Sequence, residues 1–99
     1  MWKSKKKKLK EECWNIDYEF LKWLNIHLKT YIEDASKVVD LEFKEYEYGG
    51  ITYTQKGIME RMIELTDKLT NEYFVPNDDY EMIDEVLDLF KIVFVDLWW

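Results

Sequence analysis

Hydrophobic residues recur at spacings of three and four along most of the chain. Two interruptions divide it, Gly49-Gly50 and Pro76. Leu21, Leu24, Leu28, Ile32, Ala35 and Val39 fall on one side of a helix, with Lys22, Lys29, Glu33 and Lys37 on the other. No Gly or Pro occurs between residues 3 and 48, so this helix has room to begin inside the lysine-rich start. Its far end has two readings. Phe43 and Tyr46 continue the helical stripe towards Tyr48. Yet Val39, Leu41 and Phe43 alternate, as do Tyr46 and Tyr48, then Ile51 and Tyr53. Tyr48-Gly49-Gly50-Ile51 suits a two-residue hairpin turn, because glycine accepts positive φ. The pattern favours a helix to about residue 38–40 followed by a short hairpin. A helix running to Tyr48 is the alternative.

A second helix is predicted from Thr54, whose hydroxyl can cap it. Ile58, Met62, Leu65, Leu69 and Tyr73 form its stripe, with Met59 and Ile63 beside it and Glu60, Glu64 and Asp67 elsewhere. Pro76 closes this segment by restricting Val75 and removing a backbone donor. In a third helix, Asp78 is the expected cap, and Glu81 completes an Asp-x-x-Glu variant of the capping box. Tyr80, Ile83, Leu87, Phe90, Phe94 and Leu97 read as its inner stripe. Met82, Val86, Leu89 and Val93 read as a second apolar stripe, and Glu81, Glu85, Asp88 and Lys91 as the exposed one. Beyond Lys91 the pattern is apolar nearly all round, as in a central helix or an oligomer interface. A terminal strand over Ile92 to Trp99 is the alternative, given the β-branched content. The expected fold is mainly α: a three-helix antiparallel bundle, with a short β-hairpin between helices 1 and 2.

At 99 residues the chain is expected to form a single helical domain, residues 1–99, with a basic segment at 1–10. That length excludes a multi-domain enzyme, a doubly wound cofactor fold and a barrel. The net charge of −7 conceals an asymmetry. Residues 1–10 carry six lysines and no acid, and the other 89 residues hold 8 basic and 21 acidic side chains. No Lys or Arg occurs from residue 69 to residue 90. Such a body repels nucleic acid, whose affinity comes mainly from neutralised phosphates, so direct nucleic-acid binding is not expected. A basic protein surface would be attracted instead. The lysine run could touch phosphate or anionic lipid, but it lacks the interleaved aromatics of a single-strand binder.

Cys13 is the only cysteine, so no internal disulfide can form, and a reduced cytoplasmic setting fits. With one His besides, the ligand count for structural zinc fails, and no metal or cofactor is expected. Leu9 is followed by Lys10, Glu11 and Glu12, not by the apolar run of a signal peptide. Val86 to Trp99 contains Asp88, Lys91 and Asp96 and is shorter than the ~20 apolar residues of a transmembrane helix. Gly, Ala, Arg and Pro supply 6 residues, against 41 from Phe, Tyr, Met, Ile, Asn and Lys. The first group has GC-rich codons and the second AT-rich ones. A low-GC bacterium, or a phage or mobile element within one, is the expected source.

No reacting set emerges. Glu60 with Glu64 and Glu81 with Glu85 sit one turn apart, but no Glu-x-x-His pair accompanies them. They read as solvated faces. His27 lies between Trp23 and Tyr31 with no Ser, Cys or acid at triad spacing, and reads as a partly buried edge histidine. No catalytic residues are therefore expected. Asp78, Asp79, Glu81, Asp84, Glu85 and Asp88 are the best candidates for binding a partner. Phe94, Trp98 and Trp99 are the best candidates for an interface, since aromatics dominate both cores and binding hot spots. Trp98-Trp99 is expected to be packed, inside the fold or against a second subunit, since exposed indoles are a liability.

In composition the chain resembles small acidic phage proteins that occupy nucleic-acid grooves of host enzymes, DNA mimics and some anti-CRISPRs among them. The resemblance covers no motif. The expected function is a small acidic non-catalytic binding protein that modulates or inhibits a basic, nucleic-acid-handling host protein. The alternative is an oligomeric helical bundle that sequesters a small ligand such as a nucleotide signal. There, aromatics would stack on the base, and Lys or Arg61 would hold phosphate.

Overall fold

A computed structural model of the chain describes residues 9–10, 13–71 and 76–98. After a single 3₁₀ turn, Cys13–Asn15, the elements are helix α1 (Ile16–Ala35), strands β1 (Glu45–Tyr48) and β2 (Ile51–Thr54), helix α2 (Gln55–Asn71) and helix α3 (Pro76–Val93). A second 3₁₀ turn, Phe94–Asp96, follows. The protein is mainly helical, with a two-stranded antiparallel hairpin between its first and second helices.

The stripe predicted for α1 holds for Leu21, Leu24, Leu28 and Ala35, all buried. It fails at Val39, because the helix stops at Ala35, short of the expected end at about residue 38–40. The Ser36 hydroxyl donates to the Glu33 carbonyl at 3.2 Å. The Val39 amide still reaches the Ala35 carbonyl at 2.9 Å, and the Asp40 carboxylate then takes the Glu42 amide at 3.0 Å. Short side chains that bond nearby backbone compete with helix in this way. Leu41 is buried here, whereas Val39 and Phe43 are exposed.

Gly49 and Gly50 have φ of +59° and +77°, the left-handed geometry that a tight hairpin turn needs at both central positions. Tyr48 pairs with Ile51, and Tyr46 with Tyr53. The half-buried Tyr46, Tyr48 and Tyr53 share the inner face, and Glu45 and Glu47 project to solvent. The Thr54 hydroxyl accepts the Gly57 amide at 3.0 Å and starts α2 as the sequence predicts.

Helix α2 packs against both α1 and α3. Its Ile58, Met59, Met62 and Leu65 are almost wholly shielded. The helix with charge on one side is thus the inner one, and the apolar end of α3 is not. A polar clasp sets the α1–α2 register. The buried Asn25 side chain donates to the Thr66 hydroxyl and the Asp67 carboxylate, both at 2.9 Å. The Thr66 hydroxyl donates onward to the Met62 carbonyl at 2.7 Å.

On α3 the two apolar stripes exchange roles. Val86, Leu89 and Val93 are buried against the core, whereas Tyr80, Leu87 and Phe94 of the expected inner stripe are exposed. The buried stripe carries no aromatic side chain, whereas the stripe left on the flank carries Tyr80, Phe90 and Phe94. Pro76 opens α3 instead of closing α2, which ends at Asn71. A proline suits a first helical turn, where its missing N–H has no intrahelical partner. Tyr73 lies outside the described residues. Residues 94–98 form a turn and an irregular end, not the alternative strand.

Candidate functional site

Three groups of side chains meet around α3. The first is the acidic row. Glu81, Asp84 and Asp88 are spaced by three and four, share one side of the helix, and are exposed. Glu85 is not part of that row. Its carboxylate turns toward α2 and takes the Arg61 guanidinium in a fork, Nε to Oε2 at 2.6 Å and the terminal nitrogen to Oε1 at 3.1 Å. The carboxylate raises the Arg61 pKa further above its ordinary value. Asp88 accepts the Tyr48 hydroxyl at 3.0 Å, and that hydrogen bond to a carboxylate raises the Tyr48 pKa. Of the six predicted acids, Glu81, Asp84 and Asp88 are exposed without an ion pair among the described residues, and of these Asp88 alone takes a side-chain hydrogen bond. The side chains of Asp78 and Asp79 lie outside the description. Glu60 and Glu64 are solvated as expected, Glu64 pairing with Arg61 and Lys68 at the surface.

The second group is a junction that the sequence gives little sign of. Asp96 receives Lys44 Nζ at 2.6 Å and the Tyr46 hydroxyl at 2.7 Å. Its backbone carbonyl accepts the Gln55 amide at 3.1 Å, and the Tyr31 hydroxyl donates to the Trp98 carbonyl at 2.9 Å with the Asp96 carbonyl at 3.3 Å. Residues from α1, the hairpin and the start of α2 thus converge on the end of the chain. The Lys44 and Tyr46 hydrogen bonds hold the Asp96 pKa below its ordinary value. Burial, then the bond to Asp96, pushes Tyr46 strongly upward, so its phenol stays protonated as a donor. In sequence Asp96 looks only like an interruption of an apolar run. A polar residue inside such a run was the one available signal.

The third group is an apolar groove of about 430 Å³ between α1 and the end of α3. Trp23, His27 and Tyr31 form one wall, and Phe90, Phe94 and Leu97 the other. Trp23 stacks on His27 with ring centroids 4.1 Å apart, and His27 Nδ1–H donates to the Trp23 carbonyl at 2.7 Å. His27 is thus exposed on an aromatic shelf, not partly buried as predicted. Phe20 meets Phe90 edge-on at 5.9 Å, and Phe90 meets Phe94 at 5.3 Å. Phe94 and Trp98 of the predicted interface are 61% and 72% exposed, so Trp98 is not packed inside the fold. Trp99 lies outside the described residues. Cys13 is exposed.

Among the described residues, no group of three or more His, Cys, Asp or Glu is placed to hold a metal ion. No helix there is long and apolar enough to cross a membrane. The surface around α3 thus carries carboxylates on one side of the helix and a trough of aromatics on the other. No known protein family, curated protein or solved structure matches the chain.

Proposed function

We propose that this is a small acidic non-catalytic binding protein, encoded by a phage or mobile element of a low-GC bacterium. It docks on a basic surface of a nucleic-acid-handling host protein and modulates or inhibits it in the cytoplasm. The observation that carries this reading is the outer face of α3. Glu81 and Asp84 project freely there beside Asp88, and no basic side chain occurs between residues 69 and 90. Fixed on a rigid helix, these carboxylates steer a basic partner and raise its encounter rate. The groove supports a second reading, a bundle that takes up an aromatic ligand, alone or as an oligomer. That reading is weakened for nucleotides, because Arg61, a candidate phosphate holder, already carries two carboxylates.

The test is a pull-down with the tagged chain from a low-GC bacterial lysate at low and high salt, beside the double variant E81K/D84K. The expected result is one stoichiometric, basic, nucleic-acid-handling protein, lost at high salt and lost with the variant. Equal capture by the variant would overturn the reading.

A further inference from the structure

We propose that the free edge of β1 takes up an extended basic segment of a protein partner as an added strand. The inference goes beyond the α3 reading and does not depend on it, because it rests on the backbone of the hairpin.

The hairpin leaves one set of backbone groups unused. The Gln55 amide donates to the Lys44 carbonyl at 3.1 Å, one step beyond the Glu45–Thr54 pair. Bonded and non-bonded pairs alternate in an antiparallel ladder, so Tyr46–Tyr53 and Tyr48–Ile51 are the bonded ones. The amide and carbonyl of Glu45 and of Glu47 therefore point away from β2. Among the described residues no hydrogen bond reaches them, and no third strand pairs with β1. A lysine, a proline or a bulge commonly guards such an edge. Here β1 contains neither Lys nor Pro, and its register runs without a bulge. The opposite edge is less suited, since β2 passes directly into α2 and its outward-facing Thr52 carries no charge.

The side chains of β1 select the occupant. Glu45 and Glu47 are exposed on the outer face, at the two positions whose backbone groups are free. In antiparallel addition, the residues that bond to them stand directly opposite, with Cβ atoms about 5 Å away. Lys or Arg at these positions, i and i+2, each meets a carboxylate. The residue between them falls on the inner face beside the half-buried Tyr46 and Tyr48, where an apolar side chain covers ring surface. The segment therefore alternates basic and apolar. Neighbouring charge has the same sign. Asp40 and Glu42 precede the strand, and Lys44, the one basic side chain between residues 40 and 48, is taken by Asp96. A second copy added edge to edge would set Glu45 against Glu47, and like charges directly opposite repel. A helix has its backbone groups bonded internally along its length and cannot serve. Nucleic acid is repelled by the same carboxylates.

The probe is a synthetic peptide of alternating Lys and Val, about nine residues long. One control replaces Lys by Glu. The other is N-methylated at the lysine amides, which keeps the charge and removes the donors that face the edge. Binding to the intact chain is followed by calorimetry and by amide exchange. In the free chain the Glu45 and Glu47 amides should exchange fast, and those of Tyr46 and Tyr48 slowly. The Lys/Val peptide is expected to bind one to one and to slow exchange at Glu45 and Glu47 by about tenfold or more. Binding should weaken about tenfold in E45K/E47K and in E47P, and stay within about twofold in E81K/D84K. Proline is tolerated at an edge position whose N–H faces outward, so E47P should keep the hairpin. Neither control peptide should bind. No binding of the Lys/Val peptide, or binding that leaves exchange at Glu45 and Glu47 unchanged, overturns the inference. So does equal binding of the N-methylated peptide, which would mean attraction by charge alone. If E81K/D84K loses binding while E45K/E47K keeps it, the peptide sits on α3, the strand inference fails and the acidic-face reading stands. The reverse pattern supports the added strand whatever becomes of the α3 reading. A dimer in sedimentation whose Glu47 amide is already slow without peptide assigns the edge to a second copy and overturns the inference.

Discussion

The two flanks of α3 show how one helix comes to serve both structure and surface. On the side of α2 and the hairpin, Glu85 takes Arg61 of α2 and Asp88 takes the Tyr48 hydroxyl of β1. On the α1 side, Phe90 and Phe94 find only partial cover, and beyond them Tyr80 and Leu87 face water. Both flanks are rich in residues suited to recognition. What separates them is the presence of a neighbouring element. Where α2 and the hairpin lie alongside, Glu85 and Asp88 are satisfied internally. Where, among the described residues, no fourth element lies between α1 and α3, the apolar ones are exposed.

The comparison can be broken most forcefully at two leucines two residues apart. Leu89 is fully buried and Leu87 is 46% exposed. L89A is expected to cost about 2–5 kcal/mol in urea unfolding through lost burial and a residual cavity. L87A should stay within about 0.5 kcal/mol. Equal effects would show that the helix is rotated from the orientation described. Next in size is R61A. It leaves the half-buried Glu85 without its guanidinium and should cost about 1–2 kcal/mol, since solvent screens part of the pair. R61K should recover only part of that, because an ammonium cannot make the fork.

A smaller effect is expected from pH. The folded Asp96 pKa lies below the ordinary carboxylate value of ~3.9. The unfolded chain therefore takes up this proton first as pH falls. The stabilisation is complete above the unfolded value and is lost as pH drops through the folded one. Urea midpoints measured from neutral pH down to about pH 3 should fall less steeply for D96N than for the parent. An identical acid limb would remove Asp96 from its place at the junction. The smallest effect belongs to the open flank. F94S should change stability by no more than about 0.5 kcal/mol, because Phe94 is mostly exposed. A large loss would mean that the groove is closed in the folded protein.

Much of the fold was legible. The α1 stripe from Leu21 to Ala35, the Gly49-Gly50 turn and the Thr54 cap are all local signals, carried by spacing, positive φ and a nearby hydroxyl. The end of α1 was less legible, because Ser36 and Asp40 offer backbone bonds whose competition with the helix depends on where the chain goes next. The orientation of α3 was not legible. Two apolar stripes compete, and nothing within the helix says which of them meets α2. For the candidate site, the acidic composition of α3 was visible in advance. The separation of Glu85 from Glu81 and Asp84 was not, since it depends on Arg61, 24 residues away.

The sequence by itself determined what is local. It specified a mainly helical chain, a hairpin at the glycine pair, an acidic body and an excess of aromatics, because periodicity, turn chemistry and charge are properties of neighbouring residues. The tertiary structure decided which stripe of α3 is buried, which carboxylates are engaged, and that Asp96 gathers Lys44 and Tyr46 at the end of the chain. Those outcomes depend on contacts between residues tens of positions apart. Such contacts follow from how the volumes and hydrogen-bonding groups of whole elements fit together, and no short stretch of sequence contains that fit.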